Sequence, residues 1–122
     1  MIKKITAIIR TGALEAVECR LRRLGVPGVT VSRVKGFGEY ANFFTPDWKS
    51  AYARIEIFID ETRVQPLVDS VIATAHSGLP GDGIVAVAAV DDLYRIRDHR
   101  RLESLQGQAD EDAGDTAAAT DV

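Results

Sequence analysis

The chain has 122 residues, with 46% hydrophobic residues and 15 Lys and Arg against 18 Asp and Glu, so it holds enough apolar material for one compact domain and too little length for two ordinary ones. No apolar run approaches membrane-spanning length, and the single cysteine, Cys19, excludes an internal disulfide framework, a cysteine metal cage and an iron–sulfur cluster. Residues 106–122 carry Asp110, Glu111, Asp112, Asp115 and Asp121 and no Lys or Arg; the remaining 13 acids against 15 bases balance at about +2, which provides no basic face for nucleic acid.

The N-terminus, Met1-Ile2-Lys3-Lys4-Ile5, lacks a long apolar stretch and a small-residue cleavage site, so it reads as the start of a strand over residues 2–10 in a cytoplasmic protein. Leu14, Val17, Leu21 and Leu24 follow at the spacing of an amphipathic helix. Thr11 or Gly12 starts it, Arg22 and Arg23 suit the dipole of its last turn, and Gly25 supplies a left-handed cap. Val29 to Lys35 is β-branched at four positions and reads as the second strand.

The pattern then repeats. Tyr52 to Ile59 alternates, with Ile55, Ile57 and Ile59 on one side and Arg54, Glu56 and Phe58 on the other. Thr62-Arg63-Val64-Gln65 has the form of a capping box with Thr62 as N-cap, and Val64, Leu67, Val71 and Ala75 form the second helical stripe. His76 and Gly78 mirror the end of the first helix, and Ile84 to Val90 is the fourth strand. From Gln106 onward almost nothing apolar remains to offset ordering entropy, so residues 98–122 read as an extension that is largely a disordered acidic tail from about 106.

The order βαβ-βαβ implies an α+β, ferredoxin-like domain over residues 1–97: a four-stranded antiparallel sheet with both helices on one face. In the fourth strand neither Val85, Val87 and Ala89 nor Ile84, Ala86, Ala88 and Val90 is a polar set, so the open face is expected to be covered in a homo-oligomer.

Three short segments carry chemistry. Gly81-Asp82-Gly83 is either an ordinary turn or a small anion nest whose N–H groups point one way. Arg95-Ile96-Arg97 places two guanidinium groups on one side of an extended segment, either as a solvated basic edge or as a forked grip on phosphate. Lys35-Gly36-Phe37-Gly38 invites comparison with RNA-recognition domains, but Glu39 stands where the next aromatic belongs and the string lies on strand two, not strand three. His76 and His99 are isolated and read as helix-end and surface residues, so no metal site is expected.

Residues 1–10, Gly28-Val29-Thr30-Val31, Val34-Lys35-Gly36-Phe37-Gly38, Arg54-Ile55-Glu56-Ile57, Gly81-Asp82-Gly83 and Arg95-Ile96-Arg97 together resemble the PII signalling proteins, from residue 1 to about residue 97. The resemblance implies a homotrimer with adenine nucleotides in clefts between subunits, and a loop between strands two and three that docks on a transporter or enzyme. Carried over, Gly28, Val29, Thr30, Glu56, Arg95 and Arg97 come from one subunit. Ile8, Gly36, Phe37, Gly38, Glu39, Phe58, Gly81, Asp82 and Gly83 come from its neighbour.

The departures from that family pattern are informative. Ile84 stands where a lysine usually follows the glycine loop, so one phosphate counter-charge is missing and ADP or AMP is expected to gain on ATP. Glu39 replaces a glutamine and Tyr52 a lysine that serve 2-oxoglutarate, and a carboxylate with a neutral phenol does not favour a dicarboxylate. The loop, about Glu39 to Ala51, is some seven positions short (approximate to a residue or two) and offers Phe43, Phe44 and Trp48, with Tyr40 at its base. These aromatics either dock a partner or fold back on their own subunit. The resemblance therefore points to the divergent branch associated with bicarbonate transport and carboxysomes. The alternatives are a nitrogen regulator sensing ATP and 2-oxoglutarate, and a small ferredoxin-fold enzyme in which Asp82 orients a water. No paired carboxylate, serine–histidine set or activated cysteine supports catalysis, so a non-enzymatic regulator is expected.

Overall fold

A computed structural model describes residues 1–36 and 52–105. The elements run β1 (Ile2–Arg10), α1 (Thr11–Arg23), β2 (Thr30–Val34), β3 (Tyr52–Asp60), α2 (Val64–Ala75) and β4 (Gly83–Ala89). A two-stranded ribbon of β5 (Tyr94–Arg95) and β6 (Arg100–Arg101) follows. The main sheet has the order β2-β3-β1-β4, with every neighbouring pair antiparallel. This is the ferredoxin-like arrangement expected from the βαβ-βαβ pattern.

Register decides which residues share a face. Ile5 pairs with Ile57 and Val87, and Ala7 with Ile55 and Val85. These odd-numbered positions face the helices, where Ala13, Val17 and Leu21 of α1 and Leu67, Val71 and Ala75 of α2 complete one buried core. Full burial of a side chain such as Leu21 or Leu67 contributes about 1.5–3 kcal/mol. Gly25, at φ 70°, ends α1 in the left-handed conformation that only glycine adopts without cost.

The opposite face carries the even-numbered positions. Thr30, Glu56, Thr6 and Ala86 lie in one row across the four strands, and Ser32, Arg54, Ile8 and Ile84 in the next. This face is mixed in character. Glu56 stands 3.9 Å from both Lys4 and Arg54, while the row from β4 is wholly apolar. At the edge, β4 is exposed on both sides: of its residues only Val85 packs against the core, and Ile84 and Val87 are 40% and 46% exposed.

The start of α2 differs from the capping box expected at Thr62. A short 3₁₀ turn, Glu61–Arg63, precedes the helix and moves the cap back two residues. Asp60 is the cap: its Oδ2 accepts from the Thr62 N–H at 3.1 Å and the Thr62 hydroxyl at 2.8 Å, and these bonds hold its carboxyl below the usual range. The Gln65 side chain donates one turn onward to Asp69 instead of reaching back. Asp60→Ala should cost about 1 kcal/mol, the usual scale for a lost cap, whereas Thr62→Val should cost less because the Thr62 N–H bond survives; urea titration of the two variants checks the order. The fold also continues beyond residue 97, where the expected domain ended: β6 pairs back on β5, and the Leu105 carbonyl accepts from the Asp60 N–H at 2.7 Å.

Candidate functional site

The loop joining α2 to β4 is built around Asp82. Gly81 and Gly83 have φ of 94° and 120°, so the curl expected of a glycine pair is present. Its anion is internal, however. Asp82 accepts from the Ser77 N–H at 2.7 Å, the Gly78 N–H at 2.9 Å and the Ser77 hydroxyl, and faces Arg10 Nε at 3.5 Å. The Ser77 hydroxyl and N–H do most to hold its carboxyl down, at a pKa of about 2. With both oxygens engaged by Ser77 and Gly78, Asp82 acts as a clamp on its own loop. Two further ties fix the loop on the sheet: the Tyr52 hydroxyl donates to the Gly81 carbonyl at 3.3 Å, and Arg10 Nη2 donates to the Ala75 carbonyl at 3.1 Å. Tyr52 is buried.

Register sets the predicted strand residues of the site in successive rows of the open face. At one end of the sheet, Ile8 lies against Gly83, so closely that a Cβ on Gly83 would fall 1.9 Å from the Ile8 carbonyl oxygen. Gly36 follows β2 at the same end, where Val34 pairs with Tyr52. One row further along the open face, at the middle of β3, Thr30 pairs with Glu56, and Gly28 and Val29 before it are exposed. Phe58 lies two residues beyond Glu56 on the same face, opposite Lys4. Phe37, Gly38, Glu39, Tyr40, Phe43, Phe44 and Trp48 lie outside the described residues.

Arg95 and Arg97 come after the far end of β4. Its seven residues, at about 3.3 Å each, put some 20 Å of strand between the Gly81–Gly83 loop and the segment that carries them. That segment is not extended, as the alternation of arginines suggested. Arg95 ends β5, and Arg97 lies in a 3₁₀ turn, Ile96–Asp98. Turn geometry brings Asp98 under Arg95, with Nη2 to Oδ2 at 2.7 Å. Arg97 is exposed. The partner residues Asp98, Arg10 and Ser77 escaped the sequence reading; only Asp98 had a usable signal, its i, i+3 spacing from Arg95.

Comparison with known proteins decides the family. The chain matches the family described as Nitrogen regulatory protein P-II over residues 2–100. It belongs to the P-II family. A P-II protein of Synechocystis is 37% identical over 103 residues, covering 79% of this chain and 92% of the relative. The P-II protein of Nostoc punctiforme is 36% identical with the same coverage. A crystal structure of Arabidopsis thaliana PII bound to citrate superposes with a TM-score of 0.71 at 34% identity, covering 84% of this chain and 89% of that one. The P-II resemblance drawn from spaced glycine and arginine motifs thus extends through the fold. No group of three or more His, Cys, Asp and Glu that could hold a metal occurs among the described residues, and no helix among them is long and apolar enough to cross a membrane.

Proposed function

We propose that this P-II protein assembles as a homotrimer, binds adenine nucleotides in clefts between subunits with ADP and AMP favoured over ATP, and regulates a transporter or enzyme through the segment 39–51. Bicarbonate metabolism is the setting that fits its departures from the family pattern. The observation that carries this reading is the division of the site. Ile8, Gly36 and the Gly81–Gly83 loop cluster at one end of the sheet, Thr30 and Glu56 lie in its middle row, and Arg95 and Arg97 follow the far end of β4, some 20 Å away along the strand. A ligand that uses both the glycine loop and the two arginines would span more than one end of a single chain, and a second chain packed alongside would bring the two ends together. The apolar, doubly exposed edge of β4 is the kind of surface such packing covers.

Three details support the ligand. A Cβ on Gly28 would meet nothing within 4 Å, so the chain itself has no need of glycine there, while an approaching ring or backbone would. Ile84, directly after the loop, lies on the open face and adds no cation for a third phosphate. The Tyr52 phenol is tied to the Gly81 carbonyl and offers no positive charge to 2-oxoglutarate. Nucleotide binding would then bias the 39–51 segment between arrangements that a partner distinguishes, by differential affinity. The relatives named as nitrogen regulatory proteins favour a second reading, a sensor of ATP with 2-oxoglutarate.

Calorimetry tests both. The protein is titrated with ATP, ADP and AMP, alone and with bicarbonate or 2-oxoglutarate, while product formation is followed. ADP or AMP binding without turnover is expected. Binding that needs ATP and 2-oxoglutarate together would favour the nitrogen sensor, steady turnover would favour an enzyme, and no adenylate binding in any mixture would sink the proposal. Arg95→Ala combined with Arg97→Ala should weaken ADP about tenfold or more, the scale of one lost charged contact, while sedimentation shows an unchanged oligomer.

A further inference from the structure

A 3₁₀ turn has three residues per turn, so positions i and i+3 stack. In Ile96–Asp98 this brings the Asp98 carboxylate onto the forked edge of Arg95. Arg95 Nε donates to both oxygens, at 3.3 and 3.2 Å, and Nη2 donates to Oδ2 at 2.7 Å. The carboxylate is fixed from its other side as well. Its Oδ1 accepts from the Arg100 N–H at 3.3 Å, and His99, at φ 58°, takes the left-handed turn that lets Arg100 come back beside Arg95. A non-glycine residue in that conformation is held there by its surroundings. Asp98 therefore sits where a phosphate oxygen would sit on Arg95, in the geometry that guanidinium groups use for phosphate.

We infer that Asp98 is a built-in counter-anion of Arg95 that a ligand phosphate must displace, and that it sets the site's preference for adenylates of low charge. The inference rests on the nucleotide reading above. A phosphate reaching Arg95 gains one forked contact while Asp98 loses one, so little of the contact's strength appears as affinity. The displaced carboxylate stays within the turn and repels the incoming charge, more strongly for each added phosphate. Asp98 and Ile84 then act in the same direction, one by neutralising a cation and the other by omitting one.

The test is a double-mutant cycle: wild type, Asp98→Asn, Arg95→Ala and both together, each titrated with ADP and with ATP and melted by circular dichroism. In Asp98→Asn the new amide oxygen still accepts from the Arg100 N–H, so the turn is kept; Asp98→Ser, which can make the same bond, serves if the first variant melts early. Asp98→Asn is expected to tighten ATP about tenfold and ADP about threefold, and to do neither in the Arg95→Ala background. A merely structural role for Asp98 would weaken both ligands instead. Unchanged or weaker binding in a folded variant, or the same gain without Arg95, overturns the inference and leaves nucleotide binding intact. Absence of adenylate binding in the wild type overturns both.

Discussion

Gly83→Ala is expected to lower the stability of the fold by about 3 kcal/mol or more, among the larger effects a single substitution produces. Two independent terms set that size. At φ 120° the backbone of Gly83 lies in a region closed to residues with a side chain, which alone costs on the order of 1–3 kcal/mol. The added Cβ would also meet the Ile8 carbonyl oxygen at 1.9 Å, and a main-chain atom within β1 cannot swing aside as a side chain can. Relief requires β4 to part from β1 over the Ile9–Gly83 pair, which costs ladder hydrogen bonds. Denaturant unfolding measures the loss; Gly12→Ala, where the new Cβ meets nothing within 4 Å, is the control and should be neutral or stabilising. Equal stability for both variants would mean that the close approach of Gly83 to Ile8 is not a feature of the folded protein.

Why the sequence revealed some of this and not the rest follows from the range of each interaction. Periodicity is a local signal, so the stripe Val64, Leu67, Val71 and Ala75 and the alternation of Ile55, Ile57 and Ile59 marked elements and faces that the core confirms. Element order then limited the topology to one familiar plan. Boundaries were less legible. Thr62 and Gln65 satisfied the pattern of a capping box, but Asp60 is a better cap two residues earlier, and the 3₁₀ turn it stabilises leaves Gln65 out of reach. The candidate site residues come from the P-II resemblance and from residue type and spacing, which say nothing about what else a charged group has to bind. Asp82 looked available and is committed to Ser77 and Gly78; Arg95 looked free and is committed to Asp98.

The commitment of Asp82 carries the second large effect, and it is one that pH can read. Asp82→Ala is expected to cost about 2 kcal/mol near neutral pH: three donors lose a charged acceptor, each bond of that kind being worth about 1.5–3 kcal/mol when shielded, less here because the side chain is 23% exposed. The carboxyl has a pKa of about 2 in the fold against an ordinary value of 3.8, so the folded protein binds this proton less readily than the unfolded chain does. Protonation therefore favours unfolding. The contribution of Asp82 is complete well above pH 3.8, shrinks as pH falls below it, and is gone once pH passes through about 2. Asp60 and Asp98 are also held below the ordinary range and lose stability in the same direction, so the wild-type acid curve alone does not isolate Asp82. The difference curve does: the gap between wild type and Asp82→Ala in denaturant midpoint should be widest near neutral pH and should close toward pH 2. A gap that stays constant across that range would show that the charge on Asp82 is not what holds Ser77 and Gly78. The phosphate side of the proposed site would then be shaped by the glycines alone. If the gap closes as expected, the loop proposed to offer Gly81 and Gly83 to a ligand is pre-set by an ionised aspartate that need not touch that ligand, which is why an acidic residue can sit at the centre of a site proposed to bind anions.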